Sequence, residues 1–268
     1  VPGAASRPSG CGTPGTGTLR HVAALGSEPA HDVVPGSIVP ETVSSASTVL
    51  PALPAPSVQA ERLIELGVHE IAGLPAATLR AFAGTADASA DDGTLLAVHP
   101  GRAPASALTP LLRREGKPGF VVTDMPDVDL FAPLDTLALP DAPLYLVTGL
   151  DRGDGMANWS PNEALPALTA QARTPLLLTE GITWVLQQPA VLERNHCFMT
   201  IGSRLRKADN ALDARTPALW ISNGSGRDGR ERRDAPKVGW CWAGNRHTWL
   251  GFASAAGRDV RPGPAVEG

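Results

Sequence analysis

No aromatic residue occurs before Phe82. That placement limits the fold more than any other feature of the sequence, because aromatic side chains supply the largest single contributions to a core. The first 57 residues carry 9 Pro, 7 Gly and 8 Ser against only 5 charged residues. Such a segment cannot bury enough apolar surface to offset the entropy of ordering it. Residues 1–57 are therefore expected to form a disordered tail, with the fold built from residue 58 onward. The Gly12-Thr13-Pro14-Gly15-Thr16-Gly17 run is not read as a phosphate loop, since no strand precedes it and no Lys-Ser/Thr pair follows.

Beyond the tail the pattern becomes periodic. Val58, Leu63, Ile64 and Leu66 predict a short helix with Ser57 as N-cap and Gly67 at C′. Ile71, Leu74, Leu79 and Phe82 predict a second helical piece, interrupted near Pro75. Residues 58–90 are thus expected to form a helical hairpin. An α+β domain is expected over 91–262, followed by a short tail at 263–268. Its strands are read at Leu95–Val98, Phe120–Val122, Leu144–Thr148 and Leu219–Ser222, each bounded by turn residues. Ser160-Pro161-Asn162-Glu163 is a helix start with an N-cap serine, proline at N1 and glutamate at N3. Thr179 is read as the cap of a second helix, Glu180 to Gln188. The elements alternate without regular β-α-β spacing. This favours α+β, with a mixed or antiparallel sheet, over a doubly wound parallel sheet.

Charge and cysteine content exclude several classes of function. The net charge of −4 gives no global attraction to nucleic acid, which is not an expected partner. Residues 194–261 are locally basic, with 13 basic against 6 acidic groups, and this is read as a solvated surface. Three cysteines (Cys11, Cys197, Cys241) make no disulfide framework, so a reducing, cytoplasmic setting is expected. No apolar run reaches the roughly 18–20 residues needed to span a bilayer, and no signal peptide is evident. Calcium has no support at Asp151–Gly155, where Gly153 and Gly155 stand at positions that need oxygen ligands. No cofactor and no metal is expected.

The densest segment runs from Gly239 to Gly251 and holds three of the six tryptophans. Gly244-Asn245 between two aromatic runs predicts a two-residue turn of type II′, and so a C-terminal β-hairpin. In that register Ala243 pairs with Arg246 and Trp240 with Trp249. Alternation then puts Trp240, Trp242, His247 and Trp249 on one face. Cys241 falls on the other, which separates it from His247. Three readings of the aromatic face stay open. It is a core element, or a stacking pocket for a small ligand with His247 as polar contact or base, or an interface with a partner protein. Arg204, after Gly202-Ser203, is read as an anion clamp near that face. An enzyme of the hydrolase or transferase type would instead use His247 with Cys197 or Cys241 as nucleophile. Glu180, at the start of a helix, is read as a capping acid.

Several segments together resemble an uncharacterised actinobacterial family, a domain of unknown function (DUF5701-like). They are Arg173-Thr174-Pro175, Glu180-Gly181, Asn195 to Phe198, Gly202-Ser203-Arg204, Pro217 to Ser222, and Gly239 to Gly251. The resemblance covers roughly residues 58–258 and implies no activity. It also implies cysteines near positions 205 and 255 in relatives, where this chain has Leu205 and Ala255. A metal site built on those positions would be lost here.

Overall fold

The computed structural model describes residues 50, 52–87 and 93–260. The expected tails at 1–57 and 263–268 lie almost entirely outside the described residues. The chain opens with helices α1 (Pro56–Glu65), α2 (Val68–Ile71) and α3 (Ala76–Asp87). Pro56 sits in the first turn of α1, where its fixed φ and missing N–H cost nothing, so the helix begins ahead of Ser57 and its N-cap is Ala55. Gly67 follows at φ 72, the left-handed conformation that closes a helix. α1 packs on α3, as a helical hairpin requires.

The main body continues with β1 (Leu95–Val98), α4 (Ala105–Leu108), β2 (Arg113–Arg114), β3 (Lys117–Pro118), β4 (Phe120–Val121), β5 (Phe131–Pro133) and β6 (Leu144–Thr148). Then come α5 (Pro161–Ala170), β7 (Thr174–Pro175), α6 (Leu178–Gln187), β8 (Cys197–Met199), β9 (Ser203–Leu205), β10 (Arg215–Ile221), β11 (Pro236–Trp242), β12 (Leu250–Phe252), β13 (Ser254–Ala255) and β14 (Gly257–Asp259). The class is α+β. One sheet is antiparallel, in the order β1-β6-β14. The second is mixed, in the order β12-β8-β10-β11-β4, with parallel pairs at both edges. Three short two-stranded ladders complete the fold.

α6 contacts β1 of the first sheet and β10 of the second. All ten of its residues are buried, so it behaves as a core helix rather than an amphipathic surface one. The second sheet separates two apolar cores. Phe198, Leu219, Val238 and Trp240 face the larger, which includes α6 and the first sheet. Cys197, Met199, Ala218, Cys241, Leu250 and Phe252 face the smaller, which is closed by Ala164 and Leu168 of α5. The alternation of these residues along each strand divides the two faces.

The expected hairpin at Gly244-Asn245 does not form. β12 pairs with β8 in parallel, at the edge of the sheet, with β8 and β10 between it and β11. Residues 243–249 are instead drawn out along the segment before α5. The Asn158 N–H donates to the His247 carbonyl and the Asn162 N–H to the Ala243 carbonyl. These long-range hydrogen bonds take the backbone groups that a tight turn would have paired.

Candidate ligand-binding site

The site grows from the β5–β9 ladder, in which Phe131 is opposite Leu205, Ala132 opposite Arg204 and Pro133 opposite Ser203. Each residue of Gly202-Ser203-Arg204 has a separate task. A side chain on Gly202 would lie 2.7 Å from the carbonyl oxygens of Pro175 and Leu176, so only glycine admits this approach of backbones. The Ser203 hydroxyl accepts the Leu178 N–H at 2.9 Å, satisfying one of the open donors at the start of α6. Arg204 follows on a strand whose residues alternate in direction, with the small Ala132 across from it.

Arg204 is 7% exposed and lines a cavity of about 300 Å³. Its Nη2 donates to the Asp213 carbonyl at 2.7 Å, and its Nε is buried without a partner. The nearby acids are engaged elsewhere. Asp213 binds the Arg215 guanidinium at 3.1 Å, and Asp127 holds the other edge of Arg215 at 2.6 Å. Asp135, in the cavity wall, is paired with Arg206. Burial holds the Arg204 guanidinium below its usual value, and the charge on Asp213 offsets this only in part. Burial also opposes ionisation of Asp213, yet hydrogen bonds from Arg215 keep its carboxyl below the usual range. The cavity wall thus contains one guanidinium with no carboxylate hydrogen-bonded to it, the charge of Asp213 acting on it only from a distance.

The sequence-predicted site is divided between different parts of the molecule. Trp240 is 2% exposed and belongs to the larger core, where it meets Trp242 edge-on at 4.5 Å. Trp242 is 37% exposed, at the end of β11. His247 stacks on Trp249 at 4.5 Å, and Trp249 packs against the smaller core on the other side of the sheet. Neither the tryptophans nor His247 line the Arg204 cavity. The single aromatic face therefore fails with the hairpin that would have produced it. Cys197 and Cys241 are both buried in the smaller core. Cys241 lies opposite Thr216, while the β8 ladder brings Cys197 level with Trp220. Four residues of strand, about 13 Å, separate those rows.

The stretch from α1 to β14 coincides with a sequence relationship. The sequence model of a family of unknown function, DUF5701, matches residues 62–261. The chain belongs to that family. No curated protein and no solved structure matches it. Among the described residues of this DUF5701 member, no group of three or more His, Cys, Asp or Glu side chains could hold a metal ion. No helix there is long and apolar enough to cross a membrane.

Two charged clusters of this chain were not anticipated as clusters from its sequence. In the first, Glu180 accepts hydrogen bonds from the Tyr145 hydroxyl at 2.8 Å and from Arg258 Nε at 2.6 Å. Arg258 Nη2 completes a bidentate pair at 2.7 Å. The carboxylate also accepts the Leu177 N–H at 2.8 Å, which is the capping role expected of it. Burial, reinforced by the Glu180 charge, pushes the Tyr145 hydroxyl well up, so it remains a donor. In the second, Asp154 Oδ1 lies 2.8 Å from His196 Nε2 and accepts from Arg152 Nε at 2.8 Å. Burial alone would raise the Asp154 carboxyl, but the adjacent His196 imidazole and the Arg152 guanidinium hold it far below the carboxylate range. Both clusters join residues distant in sequence or hidden inside a turn, so neither spacing nor composition could reveal them.

Proposed function

We propose that this protein is a binding protein for a small anionic ligand, held by Arg204 in the cavity beside β5 and β9. The observation that carries this reading is a buried arginine that borders a cavity, with an unpartnered Nε and no carboxylate hydrogen-bonded to it. Buried polar groups are almost always hydrogen-bonded, and a buried charge without a counter-charge is costly. An arginine so placed is suited to a planar anion. The cavity volume lies at the lower end of the range for small-molecule sites, which fits a small ligand. The reading goes with a cytoplasmic setting and with the actinobacterial origin that the family resemblance implies.

The test is thermal unfolding of the wild type and of Arg204→Gln with increasing phosphate, acetate and longer carboxylates. A ligand that binds only the folded state raises its melting temperature in proportion to the logarithm of its concentration. At least one anion should stabilise the wild type and leave Arg204→Gln unmoved. Equal shifts in both proteins, or none in either, would refute the reading.

A further inference from the structure

We infer that the ligand of the Arg204 cavity is a small monocarboxylate with an apolar tail. This rests on the anion-binding reading and narrows it to a chemical class. The cavity offers a single guanidinium that no carboxylate hydrogen-bonds. Arg206, the other guanidinium in its wall, is held by Asp135 and by the Asn210 carbonyl. The nearby backbone amides are also committed, Leu134 N–H to the Gly202 carbonyl and Asp213 N–H to the Leu205 carbonyl. A phosphate or a dicarboxylate carries more charge and more acceptor oxygens than these donors can meet. A carboxylate matches one guanidinium.

The remaining wall is aliphatic, with Leu130, Leu134, Leu205 and Leu212 around the arginine. Leu130 is 63% exposed, and Leu212 is also left open to water. They are two of the six large hydrophobic residues exposed among the described residues, and both belong to this one cavity. Leu212 is brought there by the excursion 206–212, which closes through the bridge between Arg206 and Leu212. An apolar tail would cover these side chains while its carboxylate reached Arg204. The cavity's volume restricts that tail to a short one.

Calorimetric titration of wild type and Arg204→Gln with acetate, butanoate, hexanoate, hexanamide and inorganic phosphate tests the assignment. Each methylene added between acetate and hexanoate should tighten binding about threefold to fourfold, the gain expected for burying one such group. Hexanamide should bind at least tenfold more weakly than hexanoate, and Arg204→Gln should lose the preference for the acid. Phosphate should bind no better than acetate. If phosphate and acetate bind equally, depend on Arg204 and gain nothing from a longer tail, the anion site stands and the apolar monocarboxylate is overturned. If no anion binds in an Arg204-dependent manner, or hexanamide equals hexanoate in both proteins, the inference and the anion reading fall together.

Discussion

Arg204 and Arg258 are both largely buried guanidiniums, and they differ in what surrounds them. Arg258 is fully answered by Glu180, Thr174 and the Pro175 carbonyl. Breaking such a pair from one side leaves a buried charge alone, at a cost of about 3–5 kcal/mol. Glu180→Gln should therefore lower the unfolding free energy in urea by about that amount. Glu180→Gln with Arg258→Met should recover much of it, because both charges are then gone. Arg204 is the opposite case. It has one carbonyl partner and no carboxylate bonded to it, so Arg204→Met should stabilise the protein without ligand, by about 1–2 kcal/mol in the same measurement. A loss of stability would mean that packing of the aliphatic stem outweighs relief of the charge. Residue type alone suggested an anion clamp at Gly202-Ser203-Arg204. Its glycine and serine roles were not legible, because each depends on α6 and β7 lying alongside.

At the scale of elements, strands with turn residues on both sides were read closely. Leu95–Val98 and Leu144–Thr148 coincide with β1 and β6. The helix start at Ser160 also stands, its glutamate accepting both the Ser160 N–H and hydroxyl. The C-terminal hairpin failed because the deciding interactions are not local. Leu250 and Phe252 bury against Cys197 and Met199, and the intervening loop is captured by residues 158–162. The turn 151–156 packs on β12 and carries the Asp154–His196 contact. Because the folded protein holds the Asp154 carboxyl below its ordinary value, this contribution is complete above about pH 4 and is lost as the pH falls. Urea midpoints measured from neutral pH into acid should fall steeply for the wild type. Asp154→Asn should start lower and show a shallower fall over the same interval.

Across the whole molecule the six tryptophans divide by environment, which neither an all-core nor an all-pocket reading anticipated. Trp184 and Trp240 are deeply buried, Trp159 and Trp242 are exposed, and Trp220 and Trp249 are intermediate. Acrylamide should accordingly quench part of the emission and leave a blue-shifted remainder. Trp159→Phe with Trp242→Phe should abolish most of the quenchable part. A spectrum quenched uniformly in the wild type would contradict this arrangement of the two cores.

The order in which the sheets are completed has a further consequence, for synthesis. β12 is one edge of the mixed sheet and β14 one edge of the antiparallel one, and both come late among the described residues. While the chain is still emerging from the ribosome, neither sheet has its final member. The Glu180 carboxylate waits for a guanidinium 78 positions downstream. Such long-range closure slows folding and leaves strand edges open in the meantime. The edges of both sheets therefore stay open until β12 and β14 have been made.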